Sequence, residues 1–311
     1  MQDDFVNLHC HTLYSKQDSI IKIDELVDKV KEFGQSACAV TDHSSTAAFY
    51  YFKKEANRAG IKPIYGNEFY INKNSNLKSR NRDHFVCLAM NDEGLKNINR
   101  MQDIAVRHHY YKPILPYDNL IDHTYGIYAT SACSLGAIPK LLYNNKIDEA
   151  WDCCDWFMEL FDENFSLELQ IHPNYKEQHI INHGLVKLHD LTGIPLTVST
   201  DAHFLDESVR DIRRIVQAIS WKKTYDEVND SLESNCVGST NLIMKFAEQT
   251  NENISKNKEG DISIDLGVVH KAIKQTNKIA KLCNADLCND DRKVPIFSKY
   301  EEFDRLFDEV M

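Results

Sequence analysis

Two short motifs set metal-ligating side chains at the spacing of a β-strand. Phe5-Val6-Asn7-Leu8-His9-Cys10-His11 carries two imidazoles near the start of the chain, and Thr200-Asp201-Ala202-His203 carries a carboxylate and an imidazole far downstream. Residues i and i+2 of a strand point to one face. His9 with His11, and Asp201 with His203, can therefore each converge on one cation, while Cys10 turns toward the core. Thr41-Asp42-His43, Gly66-Asn67-Glu68, Asp83-His84 and Ser131-Ala132-Cys133 stand between the pairs, each beside an apolar stretch. Imidazole, carboxylate and thiolate together form the donor set of a metallohydrolase, favouring Zn2+ with Mn2+ or Fe2+ as alternatives. A bound metal lowers the pKa of its water toward about 7, and a second metal ~4 Å away stabilises a leaving oxygen. That chemistry suits hydrolysis of a phosphoester.

Such a site needs elements that bring distant residues to one rim. Seven stretches read as strands: Phe5 to His9, Ala37 to Thr41, Ile64 to Ile71, Phe85 to Met90, Ile127 to Ser131, Phe165 to Ile171 and Leu196 to Ser199. Helical periodicity falls between most of them. Asp24 to Phe33 puts Leu26, Val27, Val30 and Phe33 on one face and stops at Gly34, and Ser44 to Ala59 stops at Gly60. Glu93 to Val106, Ile147 to Phe161, Lys176 to Leu191 and Glu207 to Ile219 continue the alternation. Repeated βα units predict a parallel sheet, and seven of them favour closure into a barrel, whose chemistry sits at the C-terminal ends of its strands. Every candidate ligand fits that rule except His84, which precedes its strand. Further helices are expected at Thr240 to Thr250 and Val268 to Leu282, separated by the acidic, Asn-rich stretch Asn251 to Asp261. A last short helix over Tyr300 to Val310 would need a partner to bury Phe303, Leu306 and Phe307.

Composition narrows the class. The 311 residues, 42% of them hydrophobic, suffice for one large barrel of ~250 residues plus a tail. The nine cysteines form no CxxC pair, and Met1-Gln2-Asp3-Asp4 does not begin an export signal, so a reducing, cytoplasmic setting is expected. No apolar run reaches the ~18 residues of a membrane span. A net charge of -11, from 36 basic and 47 acidic side chains, argues against a nonspecific nucleic-acid binder but not against an enzyme whose metals supply positive charge.

Read together, the motifs carry a resemblance. Leu8-His9-Cys10-His11-Thr12-Leu13-Tyr14-Ser15, Val40-Thr41-Asp42-His43, Lys62-Pro63-Ile64-Tyr65-Gly66-Asn67-Glu68, His84-Phe85-Val86-Cys87-Leu88-Ala89, Ser131-Ala132-Cys133 and Ser199-Thr200-Asp201-Ala202-His203 resemble, in order and spacing, the PHP (polymerase and histidinol phosphatase) family. The similarity is greatest to the N-terminal PHP domain of bacterial DNA polymerase III alpha subunits. Thr276-Asn277-Lys278-Ile279-Ala280 and Val294-Pro295 resemble the segment leading into the polymerase palm.

The resemblance implies an α/β fold, a distorted (β/α)7 TIM-like barrel with a C-terminal helical tail. Residues 1–285 would form the metallohydrolase barrel (core 1–220, helical extension 221–285), and 286–311 a linker. It implies three divalent metal ions. His9 and His11 would join Glu68 and Asp201 around one and hold its catalytic hydroxide. Glu68 would bridge to a second, completed by His84 and Cys133, and Asp18, His43 and His203 would hold the third. Asp42 would orient a ligand without touching metal. Lys78, Arg80 and Arg82 in the polar loop Asn72 to Arg82, with Arg107, are candidates for substrate phosphate, as are Lys73, Lys112, Arg213 and Arg214. His108, His109, His123, His172, His179, His183, His189 and His270 lie outside the motifs and read as surface or core.

The implied activity is a 3′–5′ exonuclease on a single-stranded or frayed DNA 3′ end in replication or proofreading, the chain being either an excised domain or a split version that works beside a separately encoded DNA polymerase subunit. The implied location is the cytoplasm of a bacterium, or of a bacterial host if the chain is viral. Two other readings compete: a non-catalytic, metal-braced module supporting a polymerase in trans, and a small-molecule phosphatase of the histidinol-phosphate kind.

Overall fold

The structure, a computed structural model, describes residues 4–73, 82–228, 234–258, 260 and 262–287. Most of the loop from Asn72 to Arg82, and the tail with Phe303, Leu306 and Phe307, lie outside them. The strands are β1 (Ala37–Val40), β2 (Lys62–Asn72), β3 (Asp83–Ala89), β4 (Leu115–Pro116), β5 (Ile127–Thr130), β6 (Phe165–Gln170) and β7 (Leu196–Ser199). The helices are α1 (Ile23–Glu32), α2 (Phe49–Ala59), α3 (Asp92–Arg107), α4 (Tyr117–Ile121), α5 (Ala137–Tyr143), α6 (Ile147–Phe161), α7 (Lys176–Thr192), α8 (Arg210–Trp221), α9 (Thr240–Asn257) and α10 (Leu266–Leu282).

The strands form one curled sheet in the order β1-β2-β3-β5-β6-β7, with β4 pairing the end of β2. The expected strand at Phe5 to His9 is an extended segment without a ladder. It bridges Asn7 to Cys38 beside β1 and Cys10 to Ala202 just after β7, with Ala39 N donating to Asn7 O (2.8 Å) and His11 N to Ala202 O (2.8 Å). Its neighbours β1 and β7 are only four residues long, which leaves little backbone to pair with. Isolated bridges thus join the two ends of the sheet, with Thr41 N also donating to Cys10 O and Ala202 N to His9 O, and they fix His9 and His11 opposite Asp201 and His203.

The expectation of an all-parallel sheet fails at β3. No helix separates β2 from β3 among the described residues, and β3 runs antiparallel to both β2 and β5. Reversal explains His84. The N-terminal end of an antiparallel strand lies at the same rim as the C-terminal ends of its neighbours, so His84 opens β3 where the other strands finish.

Two apolar layers hold this sheet. Inside, Val6, Leu8, Ala37, Ala39, Ile64, Val86 and Leu88 pack with Ile279 and Ala280 of α10 and with Cys283, which caps it. Val6 N donates to Thr276 Oγ1 (2.9 Å), so α10 contributes to the inner core. Outside, Cys38, Val40, Phe69, Phe85, Leu167 and Val198 alternate with those residues and pack under the helices. Gly66 is required where β2 meets both neighbours. A Cβ there would lie 2.6 Å from Leu88 Cδ2, 2.7 Å from Cys87 O and 2.8 Å from Thr41 Cγ2, and Glu68 follows two residues later.

Some helix limits differ from the periodicity. α2 starts at Phe49 rather than Ser44, because Ser44 adopts a positive φ of 40° as the chain turns past His43. α9 continues through the acidic stretch to Asn257, because Thr250 and Ile254, one turn apart, stay buried on its inner face. β4, α4 and α5 are too short to leave a periodic trace. α8 is inverted: Ile212, Ile215 and Ile219 are 54%, 49% and 67% exposed, while Arg213 and Gln217 are buried.

Candidate metal centre

All nine candidate ligands are linked into one network around Glu68 and Asp201 by contacts of 3.6 Å or less, Cys133 through His84. Glu68, buried at the end of β2, stands at the centre. Its Oε1 is 3.4 Å from His9 Nε2 and 2.8 Å from His84 Nδ1, and its Oε2 is 3.4 Å from His11 Nε2 and 2.6 Å from His43 Nδ1. Asp201 Oδ1 lies 3.3 Å from His9 Nε2, 3.2 Å from His11 Nε2 and 3.5 Å from His203 Nδ1. Asp18 Oδ2 reaches His43 Nε2 at 3.2 Å and His203 Nε2 at 3.6 Å, and Cys133 Sγ lies 3.4 Å from His84 Nδ1. Three sets, His9-His11-Asp201, His43-Glu68-His84 and His11-His43-His203, each bring one donor atom per residue within 4.8 Å of the others.

The donor atoms themselves test whether cations fit. His9 Nε2, His11 Nε2, His43 Nδ1, His203 Nε2, Glu68 Oε2 and Asp201 Oδ1 are buried and make no well-directed hydrogen bond, although they crowd together, His43 Nδ1 lying 2.6 Å from Glu68 Oε2. Buried polar atoms are ordinarily satisfied, and six such atoms facing one another would be costly unless something binds between them. Five imidazoles, three carboxylates and a thiol supply nitrogen, oxygen and sulfur donors that suit Zn2+, Mn2+ or Fe2+. The residues fit the group.

Neighbours fix the ligands' tautomers. His9 Nδ1 donates to Glu168 Oε1 at 2.7 Å, which leaves the Nε2 lone pair facing the cluster. His11 Nδ1 donates to Ser15 Oγ (2.8 Å), and Ser15 donates in turn to Asp42 Oδ1 (2.7 Å). Asp42 also accepts from Thr12 N and Thr12 Oγ1, and Ser15 Oγ accepts from His43 N, so Asp42 holds the loop that carries both histidines. Ala132 and Asp201, at φ 59° and 49°, carry backbone strain beside Cys133 and within the ligand set.

Charges in the metal-free cluster are strongly perturbed. Burial opposes a charge on His9, but the carboxylates of Glu168, Asp201 and Glu68 outweigh it and raise the pKa well above the usual value. His43 follows the same logic: burial lowers its pKa, and Glu68 and Asp18 push it up to about 10. His11 drops to about 3 through burial and the adjacent His43 and His203. For Glu68 and Asp201 burial acts upward, yet the surrounding histidines hold both below the carboxylate range. Cys133 is driven up by burial and by Glu68 and Asp201, so its thiol becomes a ligand only with a cation to offset them.

The PHP domain model matches residues 7–172. The chain belongs to the PHP family. Curated relatives of this PHP chain include proteins named DNA polymerase III subunit alpha. That of Borreliella burgdorferi is 36% identical over 239 residues, 74% of this chain and 21% of its own length. Those of Aquifex aeolicus (33% over 241 residues; 74% and 21%) and Helicobacter pylori strain 26695 (28% over 306 residues; 94% and 24%) follow. The chain spans about a fifth to a quarter of these relatives.

A cleft of about 160 Å3 opens over the PHP site, lined by His43, His84, Cys133, Asp201 and His203 and walled by α8. Of the phosphate candidates, Lys78 and Arg80 lie outside the described residues. Arg82 and Lys112 each stand 5.5 Å from the ring of Tyr70, which stacks on His43 and meets His84 edge-on. Arg107 pairs with Asp103 (3.0 Å) near the exposed end of α3 and does not line the cleft. Arg213 is held to Asp18 at 2.8 Å, and Arg214 lies 4.1 Å over the ring of Tyr225.

Two functional neighbours escape the motif reading. Glu168, buried on β6, accepts from His9 and from Ser199 Oγ (2.6 Å). A carboxylate inside an apolar strand, Phe165-Ser166-Leu167-Glu168-Leu169-Gln170, was the available sign. His172 lines the cleft and is anchored by Ser234 Oγ (2.6 Å), and burial lowers its pKa to about 4, keeping it neutral. Nothing at the sequence level separates it from an ordinary core histidine.

Proposed function

We propose that this PHP chain is a metal-dependent phosphodiesterase that removes nucleotides from a DNA 3′ end, a 3′–5′ exonuclease, within a barrel formed by residues 1–285. The observation that carries the reading is the group of six buried donor atoms, crowded together without well-directed hydrogen bonds around Glu68 and Asp201 under an open cleft. The names of the DNA polymerase III alpha relatives support DNA as substrate and a bacterial cytoplasm, with a DNA polymerase as partner.

His9, His11, Glu68 and Asp201 would hold one ion. Glu68 would share a second with His84 and Cys133, and Asp18, His43 and His203 would hold a third, with Zn2+ or Mn2+ as the ions. Bound there, divalent cations supply a water of lowered pKa and neutralise phosphate oxygens. The chain's own residues do the rest. Glu168 and Ser15 keep His9 and His11 in the ligand tautomer, Asp42 braces the loop beneath them, and Arg213 holds Asp18 in place.

Metal-free protein reloaded with Mn2+ or Zn2+ is to be assayed on a 3′-labelled single-stranded oligonucleotide and on histidinol phosphate. Stepwise shortening of the oligonucleotide, abolished in His11→Ala with the fold retained, is the expected result. Turnover of histidinol phosphate alone would favour the small-molecule reading, and no turnover of either would leave a metal-braced module.

A further inference from the structure

The wall of the cleft formed by α8 has an order that metal binding does not require. Arg213, Gln217 and Trp221 follow one another at i, i+4 and i+8, a single stripe on the helix, and all three line the cleft that holds His43, Asp201 and His203. Exposure grows along the stripe. Arg213 and Gln217 are each 6% exposed and Trp221 is 49% exposed, so the stripe runs from a guanidinium bonded to Asp18, past an amide, to an indole at the mouth. Leu135, also 49% exposed, lines the same cleft, so the mouth is apolar above a polar floor.

Cations cluster on α8 and just after it. Arg210, Arg213, Arg214, Lys222 and Lys223 stand between residues 210 and 223 with Asp211, flanked by Asp206 and Glu207 before and Asp226 and Glu227 after; of the five, Arg213 lines the cleft and is paired with Asp18. Lys223 Nζ lies 5.8 Å from the centroid of the Trp221 ring. An exposed aromatic with a cation beside it is what an unpaired nucleic-acid strand uses, its bases stacked on the ring and its phosphates drawn by charge.

We propose that the α8 stripe is a nucleobase subsite, in which Trp221 stacks on an unpaired base at the 3′ end, Gln217 hydrogen-bonds its sugar or base edge, and the terminal phosphodiester reaches the metal floor. The proposal rests on the phosphodiesterase reading and adds to it which residues receive the unpaired 3′ end. A base kept in a duplex has its faces covered by its neighbours and cannot stack on Trp221.

The experiment measures kcat and KM of the metal-loaded full chain on a 3′-labelled single-stranded oligonucleotide and on the same strand in a blunt duplex, for wild type, Trp221→Ala and Trp221→Phe. The expected result is a KM for the single strand raised about 5- to 100-fold in Trp221→Ala, with kcat within about threefold and most of the loss restored in Trp221→Phe. Wild type should prefer the single strand, and Trp221→Ala should lose that preference. An unchanged KM and strand preference in Trp221→Ala, with wild type active, would overturn the subsite and leave the phosphodiesterase reading standing. A wild type that shortens neither substrate would overturn both.

Discussion

The floor and the α8 wall of the cleft are built on opposite principles. On the floor, Glu68, His9 and His11 are buried, come from strand ends or their flanking segments, and are held by further hydrogen bonds through Glu168, Ser15 and Asp42. On the wall, one helix turns its polar stripe inward and its isoleucines outward, and its aromatic is half exposed with a cation 5.8 Å from the ring. A preorganised floor can hold cations and meet charge that develops on a phosphate. A solvated rim can recognise a strand but contributes little to the reacting atoms. The floor should therefore govern kcat and metal content, and the wall KM.

The sharpest way to break that contrast is Glu68→Gln. An amide keeps the shape but removes the charge shared by four histidines, so a loss of about 10³-fold or more in kcat/KM, together with lost metal, is expected by elemental analysis and steady-state kinetics. Near-wild-type kcat would mean that the floor is not the reaction centre. Glu168→Gln is the next test. It still bonds His9 but no longer stabilises the ligand tautomer by charge, and metal affinity should fall about 10- to 100-fold with the fold intact by circular dichroism.

Proton linkage gives a third prediction, specific to the floor. His43 and His9 have raised pKa values without metal, so at pH 7 cations must displace their protons, and calorimetric titration in buffers of different ionisation enthalpy should show proton release. In chelated protein, the His43 contribution is full below its unfolded value of about 6.5 and is lost as pH rises toward about 10. His11 acts on the other side. Its folded pKa of about 3 lets the unfolded chain take a proton first, so stability falls as pH drops below about 6.5. Melting temperature without metal should peak near neutrality, and metal should flatten the alkaline slope; a slope unchanged by metal would count against His43 as a ligand. The smallest effect is expected from Trp221→Ala on the floor itself: metal content should match wild type, and a loss of bound ions would erase the division between the two regions.

What could be read from the residues follows how local the information is. The pair His9/His11 needs only the two-residue period of extended backbone; Asp201/His203 lies past β7 with Asp201 at φ 49°, so a turn and not a strand period brings that pair to the same point. His84 looked misplaced because strand direction is a tertiary property; the β2–β3 antiparallel pairing that rescues it leaves no mark in spacing. Glu168 was hidden for a related reason, since its partners Thr130, His9 and Ser199 come from other elements. In α8 the period is helical, as expected, but periodicity reports that a helix has two faces and not which one meets the protein. There the polar face does.

The central claim is that the converging side chains hold divalent cations. Equilibrium dialysis of the metal-free full chain against Mn2+ or Zn2+, followed by elemental analysis, tests it most directly. The account predicts saturable uptake approaching about three ions per chain, reduced in His11→Ala and Asp201→Asn. Wild-type protein that retains no more metal than those two variants would contradict it.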